Sequence, residues 1–258
     1  MFEEKLQATA AYVASLGYTP IYISLHGSQN YGLAIYREDY QSDYDFKCIV
    51  LPSLWDLVEG KRLASLTVET EDGQIDIKDI RVVCDALERM NPAYLESLAT
   101  NHALILPGGK RMEAIRAQLP ELIRQRGARF AQACAGLFED KAKRMCHDSP
   151  AAHDRIIKYG YDGKQAHHMY RLLLLLKEFE RTGEMRLEAP QEEKGMLMRL
   201  KLNEIPLDQI QKLVPQWRAL IGTARASKKQ GEPQTQALEE IVRLSREMMY
   251  EHCVKSRT

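Results

Sequence analysis

Residues Ser24–Val50 read SLHGSQNYGLAIYREDYQSDYDFKCIV, and the fold turns on this stretch. It begins inside an apolar run, IYISL at residues 21–25, that stops at Gly27-Ser28. It ends in a second run, Tyr44–Val50, which alternates and then becomes wholly apolar, the pattern of a strand that grows more buried. Between the two, residues 29–36 suit a short helix. The expected order is strand, Gly-Ser turn, helix, strand, with Asp43 and Asp45 entering the second strand two residues apart and therefore on one face. Chains that only need to fold rarely place two carboxylates there.

Working outward, residues 3–16 have helical spacing and stop at Gly17, a natural residue for the left-handed position after a helix. Pro20 then starts the first strand. Downstream, LASLTVET and QIDIKDIRVV flank Glu71-Asp72-Gly73, a hairpin signal. Beyond residue 82 strand signals fade. Residues 85–89 read as helix, Asn91-Pro92 restarts another that contains Glu96, and helical periodicity then runs over 109–137, 138–147, 164–182, 190–202, 207–226 and 234–252. The segment KKQGEP at 228–233 reads as a loop before the last helix. The expected fold class is α+β: residues 1–105 form a small mixed sheet with helices on one face, and residues 106–258 an all-helical domain.

The 258 residues carry 36 basic and 36 acidic side chains, so no global field draws the chain to nucleic acid or membrane. A local surplus does exist: Lys110–Arg144 holds nine Lys/Arg against four acids. Five scattered cysteines without a CxxC pair argue against a zinc site or disulfide framework and suit a reducing compartment. The N-terminal residues lack the basic and apolar regions of a signal peptide. The longest apolar run, Leu172–Leu176, is far too short for a membrane span and covers every side of a helix, as a buried helix requires. These features predict a cytoplasmic protein with no membrane partner.

The chemistry follows from the opening stretch. Glycine lets a backbone approach a ligand closely, and Ser28 adds a hydroxyl for a phosphate oxygen. Two carboxylates on one face repel unless a cation lies between them, and Mg²⁺ prefers a few carboxylates plus substrate phosphates. Gly27, Ser28, Asp43 and Asp45 are thus a candidate site for Mg²⁺ (or Mn²⁺) and an NTP. A third carboxylate should come from the hairpin's second strand. Alternation puts Asp76 on the face of Asp43 and Asp45 and turns Asp79 inward with Ile75 and Ile77, so Asp76 is the first candidate for catalysis and metal binding and Asp79 the second. Lys47 follows on the same face, to touch a phosphate or to neutralise the cluster. Tyr31 either stacks on a base or packs behind the loop. Ser42 suits a turn that orients Asp43, and His26 caps the strand. Lys164, His168 and Arg171, at i, i+4 and i+7, line one helix face and suit triphosphate oxygens; His167 is rotated away toward packing.

The pattern Gly27-Ser28…Asp43-Tyr44-Asp45…Asp76 resembles the DNA polymerase β-like nucleotidyltransferase superfamily. With Tyr31-Gly32 and Ser42, the string GSQNYGL…SDYDF resembles one branch, the RNA-repair-pathway DNA polymerase β family. DIRVVCDALERMNPAYLESL is similar to that branch through Asp79, Arg81, Asn91, Pro92, Leu95 and Glu96, and GKQAHHMYRLLLLLKE through Lys164, His168 and Arg171. The resemblance implies a Mg²⁺-dependent enzyme that moves an NMP from an NTP to an acceptor hydroxyl, with an RNA or DNA end as one acceptor. It places the third acid at Asp79, where alternation prefers Asp76. A second reading is a catalytically weak nucleotide-binding module that acts through a protein partner. A metal-dependent phosphohydrolase is a third, but it has no use for a triphosphate-holding turn.

Overall fold

A computed structural model describes residues 2–38, 40–227 and 235–255; the expected loop at 228–233 lies outside them. The fold is α+β. The chain forms two compact units, one of residues 1–125 with 234–258 and one of residues 126–233. This differs from the expected division after residue 105: two short helices and the last long helix belong with the sheet.

The first unit begins with α1 (Phe2–Ser15), which ends ahead of Gly17 at φ +88°, and β1 (Thr19–His26). A single 3₁₀ turn, Gly27–Gln29, follows. The helix expected over 29–36 is absent. Asn30 Nδ2 donates to the Leu25 carbonyl at 2.6 Å, and the chain turns again through Gly32 at φ +66°. Asparagine often makes such local backbone bonds, which compete with helix formation. A two-residue ladder of β2 (Tyr36–Arg37) and β3 (Tyr40–Gln41) comes next, then β4 (Asp45–Leu51), α2 (Leu54–Val58), β5 (Leu66–Thr70) and β6 (Gly73–Asp79). The β5–β6 turn is Glu71-Asp72. Gly73, at φ +149°, already lies in β6, where a Cβ would stand 2.5 Å from the Tyr44 carbonyl oxygen. Continuing, α3 (Ile80–Glu88), α4 (Pro92–Ala99), β7 (Ala103–Ile105), α5 (Met112–Ala117) and α6 (Leu119–Gln125) complete the first pass, and α12 (Gln236–Lys255) returns to this unit. At three residues, β7 is too short to show a period in the sequence.

The sheet order is β5-β6-β4-β1-β7. Only β4 and β6 pair in parallel, Lys47 opposite Asp76; the other neighbours are antiparallel. Alternation gives this sheet two unlike faces. Ile23, Leu25, Phe46, Cys48, Val50, Ile75 and Ile77 form a core with Leu6, Ala10 and Val13 of α1. Each fully buried large side chain here contributes roughly 1.5–3 kcal/mol. The opposite face carries Tyr22, Ser24, Lys47 and Asp76 and is met by α4: Ser24 Oγ lies 2.7 Å from Ser97 Oγ, and the Tyr22 hydroxyl donates to the Ser97 carbonyl at 2.8 Å. Helices therefore cover both faces, not one as the sequence suggests. α12 is held by Ser245 Oγ at 3.3 Å from Cys84 Sγ and by Arg111, which pairs with Glu247 and Glu251 at 2.8 and 2.7 Å.

The second unit contains α7 (Gly127–Met145), α8 (His153–Tyr159), α9 (Gly163–Thr182), α10 (Gln191–Lys201) and α11 (Leu207–Ser227). The long helix expected at 109–137 is thus three helices, broken around Pro120 and at Gly127. Leu172–Leu176 are all buried, as five consecutive apolar residues demand. Gly127 lets α7 approach α9 closely, since a Cβ there would stand 3.0 Å from the Phe179 ring. Asp162 caps α9 by accepting from Lys164 N at 3.0 Å and pairs with Arg155 at 2.8 Å.

Candidate functional site

The site is built on the turn that ends β1. His26 pairs with Asp45 across β1 and β4, so the chain enters the turn beside the carboxylate. Gly27 then adopts φ +74°, a left-handed conformation that suits glycine, and a Cβ at this position would lie 3.0 Å from Asp45 Oδ2. Gly27 is therefore needed twice, for its backbone angle and for the space its missing side chain leaves to Asp45. Ser28 follows in the same turn. Asp43 is exposed and precedes β4 instead of lying within it; Asp45 is the strand's first residue. The juxtaposition of Gly27-Ser28 with the Asp pair, expected from sequence, is thus made through Asp45.

Behind the turn is a buried polar network in which Asn30 and Thr100 were missed by the sequence reading. Asn30 reaches back to Leu25 and accepts from the Thr100 hydroxyl at 2.7 Å. Tyr31 points inward: its ring is buried, and its hydroxyl donates to Glu96 Oε2 at 2.6 Å. Of the two roles open to Tyr31, packing behind the loop is the one found, and stacking on a base is corrected. Glu96 is fully buried on α4 and so ties that helix to the turn. Ser42, expected in a turn that orients Asp43, is buried. It pairs with Ile35, its N–H donating to the Ile35 carbonyl at 2.8 Å and its Oγ accepting from Ile35 N at 2.9 Å, which closes the β2–β3 excursion at its base. Asparagine in GSQNYG was the available signal for the network, since buried Asn seldom lacks backbone partners.

The third carboxylate is already engaged. Asp76 Oδ2 lies 2.9 Å from Lys47 Nζ, 3.3 Å from Lys78 Nζ and 3.3 Å from the Tyr94 hydroxyl, while Oδ1 accepts from Ser65 at 3.0 Å. Burial pushes the Asp76 carboxyl up, but the two lysines and the Ser65 hydroxyl outweigh it and hold it below the usual range. Burial, and then the same carboxylate, push the Tyr94 hydroxyl far upward, so that phenol stays protonated and donates. Lys47 neutralises a carboxylate, the second of its two expected roles. Asp79, 2% exposed, caps α3 by accepting from Arg81 N at 2.8 Å and forms a bidentate pair with the Arg81 guanidinium. It faces the core, as alternation predicts, and acts as a helix cap.

These placements decide what the residues could hold. Among the described residues, no three His, Cys, Asp or Glu side chains converge as a metal-holding group. Asp43 and Asp45 are hard oxygen donors suited to Mg²⁺ when substrate phosphates supply the remaining ligands. Asp76 does not fit that set, because Lys47 and Lys78 already neutralise its carboxylate.

Lys164, His168 and Arg171 lie on α9 in the second unit. Lys164 is exposed, and Arg171 lines a cavity of about 350 Å³ with Glu178, Arg181 and Arg186. His167, rotated from these three as expected, is buried with Nδ1 2.9 Å from the Leu197 carbonyl. Burial lowers its pKa to about 4, so it is neutral at pH 7 and Nδ1 carries the donated proton.

No protein-family model matches the chain, and no curated protein does. It is similar to one solved structure, a nucleotidyltransferase-like protein from Exiguobacterium sibiricum 255-15, with 13% identity and a TM-score of 0.33 over 97% of this chain and 79% of that one. A likeness this loose transfers no residue role. Among the described residues no helix is long and apolar enough to cross a membrane.

Proposed function

We propose that the chain binds an NTP with Mg²⁺ at the Gly27 turn and transfers its nucleotidyl group to an acceptor hydroxyl, as the resemblance to DNA polymerase β-like nucleotidyltransferases implies. The observation that carries this reading is the 3.0 Å approach of a Gly27 Cβ position to Asp45 Oδ2, which sets an open, left-handed turn directly against a carboxylate. Gly27 and Ser28 hold the phosphates, and Asp43 and Asp45 hold the metal. Mg²⁺ held by Asp43 and Asp45 would supply positive charge to the phosphates and make the α-phosphorus more electrophilic. The acceptor oxygen forms the new P–O bond as its proton passes to solvent, the α–β bridging bond breaks, and pyrophosphate leaves with that electron pair. Lys47 and Lys78 keep Asp76 ionised, and the buried Tyr31–Glu96 bond holds the turn in place. An RNA or DNA end is one acceptor that fits, and cytoplasmic residence suits the five free cysteines.

The ion pairs on Asp76 favour a second reading, a nucleotide-binding module with little turnover that acts through a protein partner, because the third carboxylate expected for catalysis and metal binding is held by two lysines. Incubation with each α-³²P-labelled NTP, Mg²⁺ and mixed RNA separates the two. Label transfer by the wild type that is lost in Asp45→Asn supports the enzyme, and the labelled species names the acceptor. Mg²⁺-dependent NTP binding without transfer supports the module.

A further inference from the structure

The two halves of the site are joined through a tyrosine that neither the motif nor the chemistry above has used. Tyr36, the first residue of β2, donates its hydroxyl to Gln29 Oε1 at 2.6 Å, and Gln29 belongs to the Gly27–Gln29 turn. The same hydroxyl lies 3.4 Å from that of Tyr44, the residue between Asp43 and Asp45. Because Tyr36 gives its proton to Gln29, Tyr44 is the donor in the second bond, which ties the residue between Asp43 and Asp45 to the turn.

The two rings differ in what covers them. Tyr44 has Lys5 Nζ 4.5 Å from its centroid and is flanked by Phe2 and Phe46. Tyr36 is 57% exposed, and its anchored hydroxyl prevents the ring from folding away. Among the exposed aromatic side chains of the described residues, Tyr36 alone is bonded to this turn. An open aromatic face, fixed at its far end to Gln29, the residue after Ser28, is what a planar base stacks on.

We propose that Tyr36 is the stacking platform for the base of the bound nucleotide, an inference that rests on the triphosphate reading of the Gly27 turn. Every base has a π-face, and Tyr36 offers its ring rather than its hydroxyl, which Gln29 and Tyr44 already engage. Selection at this position is therefore for the presence of a base, with larger purines favoured modestly over pyrimidines, and not for one base edge.

The test compares ATP with ribose 5-triphosphate, which lacks the base, each with Mg²⁺, by calorimetric titration of the full chain. The wild type should bind ATP the more tightly. Tyr36→Ala should weaken ATP binding by about 5- to 150-fold and leave ribose 5-triphosphate unchanged, and Tyr36→Trp should restore ATP binding. ATP affinity unaltered in Tyr36→Ala, or an equal loss for both ligands, overturns the stacking role while the triphosphate site stands. Failure of the wild type to bind either ligand overturns both.

Discussion

Lys47 Nζ and Asp76 Oδ2 lie 2.9 Å apart on directly paired residues of the two parallel strands, with both side chains mostly buried. The pair decides how the candidate site is charged, and it has a pH signature. Asp76 has a folded-state pKa below its unfolded value, so its contribution to stability is full above the unfolded value of about 3.9 and is lost as pH falls through the lower folded value. Denaturation midpoints of the first unit's transition should therefore fall steeply below about pH 4, and Asp76→Asn should flatten that decline while lowering the midpoint at pH 7. Parallel acid profiles for the two proteins would contradict this account.

Gly27 and Gly17 form an internal control. Both have left-handed φ, +74° and +88°, but a Cβ at Gly17 meets nothing within 4 Å, whereas one at Gly27 meets Asp45. Each change to alanine should cost about 1–2 kcal/mol from the backbone. Only Gly27→Ala should also abolish Mg²⁺–NTP binding. Chemical denaturation and calorimetric titration of both variants check the two halves.

Asp45 and Asp76 should separate in the same way. Asp45→Asn should reduce nucleotidyl transfer by roughly 100-fold or more, as expected when a group acting on transition-state charge is lost. Asp76→Asn should leave Mg²⁺–NTP binding within a few-fold of wild type, because its partners are lysines. Comparable losses of binding in both would return Asp76 to the metal's ligands.

His167 gives the second unit its own pH dependence. It is neutral when folded, with a pKa of about 4 against about 6.5 unfolded, so the unfolded chain binds the proton more readily. Stability should fall as pH drops from about 6.5 towards 4, by up to roughly 3 kcal/mol. In His167→Gln this segment of the profile should be flat. A wild-type profile level over the same range would refute the assignment.

Much of the first unit was legible because short-range physics wrote it. An apolar run located β1, period-two alternation located β4 and the β5–β6 hairpin, and glycine marked the turn at 27. Other features depended on partners that sequence spacing does not name. Alternation put Asp76 on the face of Asp45, but only the parallel pairing of β4 with β6 sets Lys47 opposite it. Tyr31 could point either way until buried Glu96, 65 residues on, appeared as its acceptor. Helical periodicity shows that a helix buries a stripe, not against what, so the return of α12 was invisible.

That return has a consequence for how the protein is made. The helix that completes the first unit is encoded after the whole of the second, so residues 1–125 leave the ribosome without Ile241, Leu244 and Met248, all buried in the finished unit. At about 5–20 residues per second, synthesis of the intervening segment delays those side chains by roughly 5–20 s. Throughout that interval the nascent first unit shows apolar surface that the mature protein hides, and the second unit, contiguous in sequence, has all its own residues before α12 emerges. Vectorial synthesis thus makes the earlier half of the chain the later one to mature.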